Sequence, residues 1–116
     1  MKALTPVQCG ILEIASEDYI GLWEAVAIVK SKSTFAREAQ SQAHDILEEL
    51  LSRHLLEAFE GVRFWGEERQ LSFQEALELL DDQEQWDPDV PIGRRYMRVA
   101  ATSLGEESLR LSLLEE

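Results

Sequence analysis

The stretch Thr34–Leu56 reads TFAREAQSQAHDILEELLSRHLL and is the longest run of the chain with a clean helical period. Thr34 can accept a hydrogen bond from an amide of the first turn, so it is the predicted N-cap of a helix that reaches His54. Apolar residues recur there at spacings of three and four, which predicts an amphipathic helix facing a core. The predicted inner face consists of Phe35, Ala39, Ala43, Ile46, Leu47, Leu50 and His54.

Two shorter helices are predicted before this stretch. Thr5 can cap the first helix, Pro6 suits its first position, and Gln8 completes a capping box. The polar run Ser16–Asp18 interrupts the apolar stripe of this helix and can cap the second one. The predicted inner face of the second helix consists of Tyr19, Leu22, Trp23, Val26 and Val29.

Two strands are predicted after the long helix. Leu55–Trp65 loses the helical period and turns aromatic, and in Arg94–Thr102 the side chains alternate along the chain. We expect these two strands to pair, with the segment between them lying across the pair.

Capping boxes predict two further helices. Ser72 and Glu75 form one box, which opens an inserted helix between the two strands. Ser103 and Glu106 form another, which opens a short C-terminal helix. The predicted buried residues of the inserted helix are Phe73, Ala76, Leu77 and Leu80.

Composition restricts the class of protein. The chain has 116 residues and one cysteine, Cys9, so we expect a single domain over residues 1–116 without an internal disulfide or a thiolate metal cluster. No apolar run is long enough for a signal peptide or a membrane span, so a cytoplasmic protein without membrane contact is expected. The formal net charge of −12 repels polyanions such as nucleic acid.

The order of these elements resembles the winged helix-turn-helix class, including PadR-like and MarR-like regulators. In that class Ile11–Ala15, Ile20–Val29 and Thr34–His54 would lie in the first three helices, and Tyr96–Gly105 looks like a second wing strand turning into a closing helix. The resemblance implies an α+β fold of three helices, a two-stranded wing with a helical insertion, and a C-terminal helix. A set of small uncharacterised bacterial proteins is similar at Asp18–Glu24, Asp87–Pro88, Ile92–Gly93 and Ala101–Thr102.

The third predicted helix departs from that class in its charge. Such regulators present lysines and arginines from this helix to DNA phosphates, whereas Thr34–Leu56 has two arginines against four acidic residues, a net charge of −2. DNA phosphates would repel such a helix. We therefore predict a non-enzymatic module that acts through protein–protein interaction. The alternative is a DNA-binding transcriptional regulator that touches DNA with a basic wing.

No residue pattern predicts catalysis or a cofactor. His44 and His54 are about 15 Å apart along a helix, too far to share a metal ion, and His44 with Glu48 lacks a third ligand. The acidic run Asp81–Asp89 has no glycine of the kind that calcium loops require. Cys9 has no basic neighbour in sequence to activate its thiol. We expect no enzyme activity and no cofactor.

Two features near the predicted strands are candidates for partner binding. Arg94, Arg95 and Arg98 form the one basic cluster, which either pairs with acidic residues of the same chain or docks a partner. Trp86 flanks the insertion; it would mark an interface if exposed and belong to the packing if buried.

The C-terminal helix has more leucines than one inner stripe requires. Leu109 and Leu113 share one face, whereas Leu111 and Leu114 lie to another side. One side can meet the first helix, and a second chain could cover the other side. We therefore predict a two-fold homodimer through Leu111 and Leu114, or else an unidentified protein partner.

Overall fold

The computed structural model describes residues 4–32, 38–62, 68–87 and 95–114. In these ranges the fold is α+β, with five α-helices and a four-stranded antiparallel sheet. In chain order the elements are α1 (Pro6–Glu17), β1 (Ile20–Gly21), α2 (Leu22–Lys32), α3 (Ala39–Ser52), β2 (Leu56–Val62), β3 (Arg69–Leu71), α4 (Phe73–Leu80), a 3₁₀ turn (Gln83–Trp86), β4 (Arg95–Ala101) and α5 (Ser103–Leu114).

Two helices begin at the predicted capping boxes. At α1 the amide of Gln8 donates to Thr5 Oγ1 at 3.2 Å, and the amide of Thr5 donates to the Gln8 side chain at 2.9 Å. At α4 the reciprocal bonds between Ser72 and Glu75 are both 3.1 Å long. Each box satisfies two amides that have no partner within the helix, and both predicted starts are confirmed.

The two predicted strands are confirmed and pair with each other. The β2–β4 pairing runs from Leu56 opposite Ala101 to Val62 opposite Arg95. Strand β1 adds to β4 and strand β3 adds to β2, so the sheet has the order β1–β4–β2–β3. The prediction of only two strands is therefore wrong, because β1 and β3 are too short to show an alternating pattern in sequence.

Alternation along β2 and β4 divides the sheet into a core face and an outer face. On the core face, Ala58 stands opposite Val99 and both are buried. On the outer face, Phe59 stands opposite Arg98, and both are half-buried. Residues from all five helices join the core face in one hydrophobic cluster; its side chains at 0% exposure are Ile11, Leu12, Ile20, Leu22, Ala25, Val29, Ala43, Leu47, Leu50, Met97 and Val99.

The inner face of the second helix agrees with the prediction at Leu22 and Val29, which are fully buried, but not at Trp23. Strand β1 occupies the two residues before Leu22, so α2 begins at Leu22 and buries it with Ala25 and Val29. Trp23 and Tyr19 are instead 40% and 37% exposed. The prediction that both belong to the core stripe is wrong, because strand β1 separates Tyr19 from the helix and the Trp23 indole lies against Gly21 of that strand.

The insertion also differs from expectation. Helix α4 packs against α3 and β3 rather than across the paired strands β2 and β4. Its first residue, Phe73, was predicted to be buried but is 44% exposed. The predicted cap Thr34 and the predicted strand end Trp65 lie outside the described residues.

Helix α3 ends at Ser52, two residues before the predicted end. The amide of His54 donates to the Leu51 carbonyl at 3.1 Å, and the amide of Leu55 donates to the Leu50 carbonyl at 2.9 Å. This is the Schellman arrangement, in which the residue after the cap adopts a left-handed conformation. His54 holds that position with φ 60°, although glycine is the residue usually found there.

We predict that His54→Gly stabilises the protein by about 1 kcal/mol, because glycine adopts positive φ without the steric cost of a Cβ atom. His54→Val should destabilise it by about 1–2 kcal/mol, since a branched Cβ is worst suited to this conformation. Urea denaturation of both variants measures the effect. Equal stability of the two variants would show that the conformation of residue 54 stores no strain.

Candidate interaction site: exposed leucines and the arginine cluster

Helix α5 approaches the rest of the protein very closely at its first turn. A Cβ atom at Gly105 would lie only 2.1 Å from the Leu55 carbonyl oxygen and 3.3 Å from Leu12 Cδ2. Ser108 and Leu109 are also buried on this side, and the helix packs against α1 as expected. The start of α5 is one residue earlier than predicted, because Thr102 rather than Ser103 accepts the Gly105 amide, at 2.9 Å.

Four leucines of α5 point to solvent. Leu104 is 50% exposed, Leu111 38%, Leu113 47% and Leu114 70%. At roughly 100° per residue, Leu104 and Leu111 lie almost in line, Leu114 lies beside them, and Leu113 is on the other side of the helix. Leu111 and Leu114, the predicted partner-binding residues, are therefore on the surface. Leu113 does not share the buried environment of Leu109, which corrects that part of the prediction.

A groove of about 530 Å³ lies beside the first turn of α5. Leu56, Leu71 and Ala76 form part of its lining, and the exposed side chains of Phe73 and Leu104 border it. It extends the apolar surface of α5 towards α4. No local pattern indicated this groove, because its lining comes from three separate stretches of the chain, within residues 51–58, 70–76 and 102–104.

The arginine cluster is neutralised where the structure describes it. Arg94 lies outside the described residues, and Arg95 is described only as part of the backbone of β4. Arg98 forms an ion pair with Glu68. The sequence left two roles open for these arginines, pairing within the chain or docking a partner. Arg98 takes the first role, because it pairs with an acidic residue of its own chain.

Aromatic rings surround Arg98 on the outer face of the sheet. Its guanidinium carbon lies 5.0 Å from the ring centroid of Tyr19 and 5.5 Å from that of Tyr96. The Tyr19 ring meets Phe59 edge to face, with centroids 5.3 Å apart. The negative charge of Glu68 raises the pKa of the Tyr19 hydroxyl above its usual value, because ionisation would bring two anions together. We call the surface formed by Tyr19, Phe59, Tyr96 and Arg98 the aromatic face.

Two other arginines also pair with acidic residues. Arg69 lies 2.9 Å from a carboxylate oxygen of Glu75 and 3.6 Å from one of Glu60. Arg110 pairs with Glu107 in α5. Positive charge on these side chains is thus compensated locally, and such arginines offer little to DNA phosphates.

Trp86 belongs to the packing rather than to the surface. It is 6% exposed, and its indole Nε1 donates to the Leu80 carbonyl at 3.0 Å. Its ring stacks with His44 at a centroid distance of 6.4 Å. In this conformation Trp86 offers no surface to a partner, because the insertion folds back and places the indole between α2 and α3.

His44 connects α3 to the end of α4. Its Nε2 lies 2.9 Å from Asp81 Oδ1, and its Nδ1 lies 3.3 Å from Asp45 Oδ1. His44, Asp45 and Glu48 bring ligand atoms within 4.8 Å of one another, so Asp45 adds the third ligand that was not evident from the sequence. Asp45 is 78% exposed, which favours a solvated arrangement over a metal site. Partial burial lowers the His44 pKa, but the hydrogen bonds to Asp81 and Asp45 outweigh it and raise that pKa overall.

This raised pKa predicts a pH dependence of stability. The His44–Asp81 pair contributes fully to the free energy of unfolding below the pKa of His44 in the unfolded chain, about 6.5. This contribution is lost as pH rises through the higher pKa of His44 in the folded protein. The difference in unfolding free energy between wild type and Asp81→Asn should therefore shrink from pH 5.5 towards pH 8. Urea denaturation across this range measures it, and His44→Gln should remove the effect. A difference that stays constant with pH would contradict the assignment.

Comparisons of the chain with protein-family models, with curated proteins and with solved structures found no match. Among the described residues, no helix has the length and apolar character that crossing a membrane requires.

Proposed function

We propose that this chain is a non-enzymatic, cytoplasmic protein-interaction module of winged-helix-like architecture, and that it pairs with a second copy of itself. The element order supports the architecture: α1, β1, α2 and α3 precede the antiparallel pair β2 and β4, and β1 adds to β4. Cys9 packs against the core and His44 joins two helices, so neither has surroundings typical of a catalytic group.

The observation that favours self-association is the apolar surface of α5. Leu104, Leu111 and Leu114 expose between 38% and 70% of their surface along one side of a single helix. Covering such a surface removes apolar area from water, which stabilises the complex by about 25 cal/mol for each Å² that is buried. A two-fold pairing places the same leucines on both sides of the interface, and identical apolar surfaces complement each other.

Charge opposes this association and makes it testable. Two copies of net charge −12 repel each other, and added salt screens that repulsion. The apolar contact itself does not depend on opposite charges. The dimer should therefore become tighter as salt concentration rises.

We predict that Leu111→Glu weakens the dimer by at least about tenfold, because it buries a carboxylate in an apolar contact. Leu113→Glu is a matched control, since it makes the same change on the same helix but on the other side. Light scattering across a salt series measures the mass of each variant. A wild-type monomer at every protein and salt concentration would refute self-association. Equal weakening by both variants would mean that the added charge, not the side of α5 that carries it, weakens the dimer, and no weakening by either would place the interface elsewhere.

The arginine pairings disfavour the alternative of a DNA-binding regulator. We predict no shift of random duplex DNA at ~50 mM salt, because the third helix is acidic and Arg69, Arg98 and Arg110 are paired with acidic residues. Electrophoretic mobility shift assays test this, with salt titration of any complex that forms. Micromolar binding with a steep salt dependence would favour the regulator instead.

A further inference from the structure

The aromatic face is a second exposed surface, separate from α5. Tyr19 is 37% exposed, and the guanidinium of Arg98 lies against the rings of both Tyr19 and Tyr96. Tyrosine, tryptophan and arginine are the residues most enriched where protein interfaces gain their binding energy.

Trp23 borders this face. Gly21 stands opposite Arg98 in the β1–β4 pairing, and a Cβ atom at Gly21 would lie 2.8 Å from Trp23 Nε1. Glycine at position 21 therefore leaves the space in which the indole lies against the strand. With 40% of its surface exposed, Trp23 extends the aromatic face beyond the edge of the sheet.

Carboxylates outnumber cations among the described charges around this face, where Arg98 is joined by the exposed Lys30, which lines a pocket with Trp23. Arg98 is already paired with Glu68, and Glu57 lies on the same side of β2 as Phe59, two residues away. The pairing leaves Arg98 unable to offer a full positive charge to an acidic partner. Glu57 accepts a hydrogen bond from the Gln70 side chain at 3.2 Å.

Two more carboxylates lie at the β1 end of the face. Asp18 accepts a hydrogen bond from the Tyr19 amide at 2.7 Å. Glu24 accepts one from the Gly21 amide at 3.1 Å. Aromatic rings bordered by carboxylates attract cations, because ring faces and carboxylates both have negative potential.

We propose that the aromatic face binds a protein segment rich in arginine or lysine. Guanidinium and ammonium groups can stack on the exposed rings of Tyr19 and Trp23 while the surrounding carboxylates supply long-range attraction. The net charge of −12 speeds the approach of a basic partner and disfavours a second acidic copy at this surface. This site is independent of the proposed dimer surface on α5.

The experiment uses the full chain and a fluorescein-labelled octa-arginine peptide, with binding followed by fluorescence anisotropy. Tyr19→Ala and Trp23→Ala should each raise the Kd by about threefold to tenfold, the range expected for losing a cation–π contact. Phe73→Ala is the matched control, because Phe73 is 44% exposed and borders the groove beside α5 instead. Tyr19→Phe keeps the ring and should bind like wild type.

Three outcomes would overturn the proposal: no measurable binding, an equal Kd for all four variants, or tighter binding of an octa-glutamate peptide. The second outcome would mean that net charge alone attracts the peptide. Circular dichroism establishes that each variant is folded, and Trp23→Ala alone decides the matter if Tyr19→Ala does not fold. Leu111→Glu should leave peptide binding unchanged, so failure of this proposal and failure of the proposed dimer are separate results.

Discussion

Thr102 holds the end of β4 against the turn that closes α3, and the position of α5 depends on this contact. Its Oγ1 donates to the His54 carbonyl at 2.6 Å and accepts from the Gly105 amide at 2.9 Å. Its own amide donates to the Leu55 carbonyl at 3.1 Å. One residue thus completes the strand pairing and caps the next helix. The left-handed conformation of His54 turns its carbonyl towards this junction, so the strained turn and the last helix belong to one arrangement.

The same junction explains why α5 presents leucines to solvent. The helix approaches so closely that only glycine fits at position 105, because any Cβ atom would collide with the Leu55 carbonyl. Gly105 and Ser108, both small, occupy the buried side, with Leu109 beyond them. The larger residues Leu104 and Leu111 are therefore displaced to the flank of the helix. The close approach of α5 to the Leu55 carbonyl thus has two consequences. Small residues occupy the inner side of the helix, and leucines form an apolar surface on its outer side.

Features that depend on neighbouring residues could be predicted from the sequence. A capping box joins residues three apart, so Thr5 with Gln8 and Ser72 with Glu75 fixed two helix starts. The alternation in β2 and β4 identified the paired strands. Strands of two or three residues are too short to show a pattern in the sequence. Because β1 was not predicted, Tyr19 and Trp23 were wrongly assigned to the buried stripe of α2. The aromatic face depends on Glu68 meeting Arg98, 30 residues away, and no local rule indicates such a pair.

The distribution of charge separates the two proposed surfaces in their physical behaviour. The proposed association through α5 would be apolar and would work against the repulsion between two acidic chains, so screening by salt should favour it. The proposed attraction of a cationic segment to the aromatic face would depend on the same negative charge, so screening by salt should oppose it. A surface whose carboxylates pair with Arg69, Arg98 and Arg110 is consistent with both. The net charge that opposes the proposed dimer favours the proposed basic partner. If both contacts form, raising the ionic strength should therefore shift the balance from binding of the basic partner towards self-association.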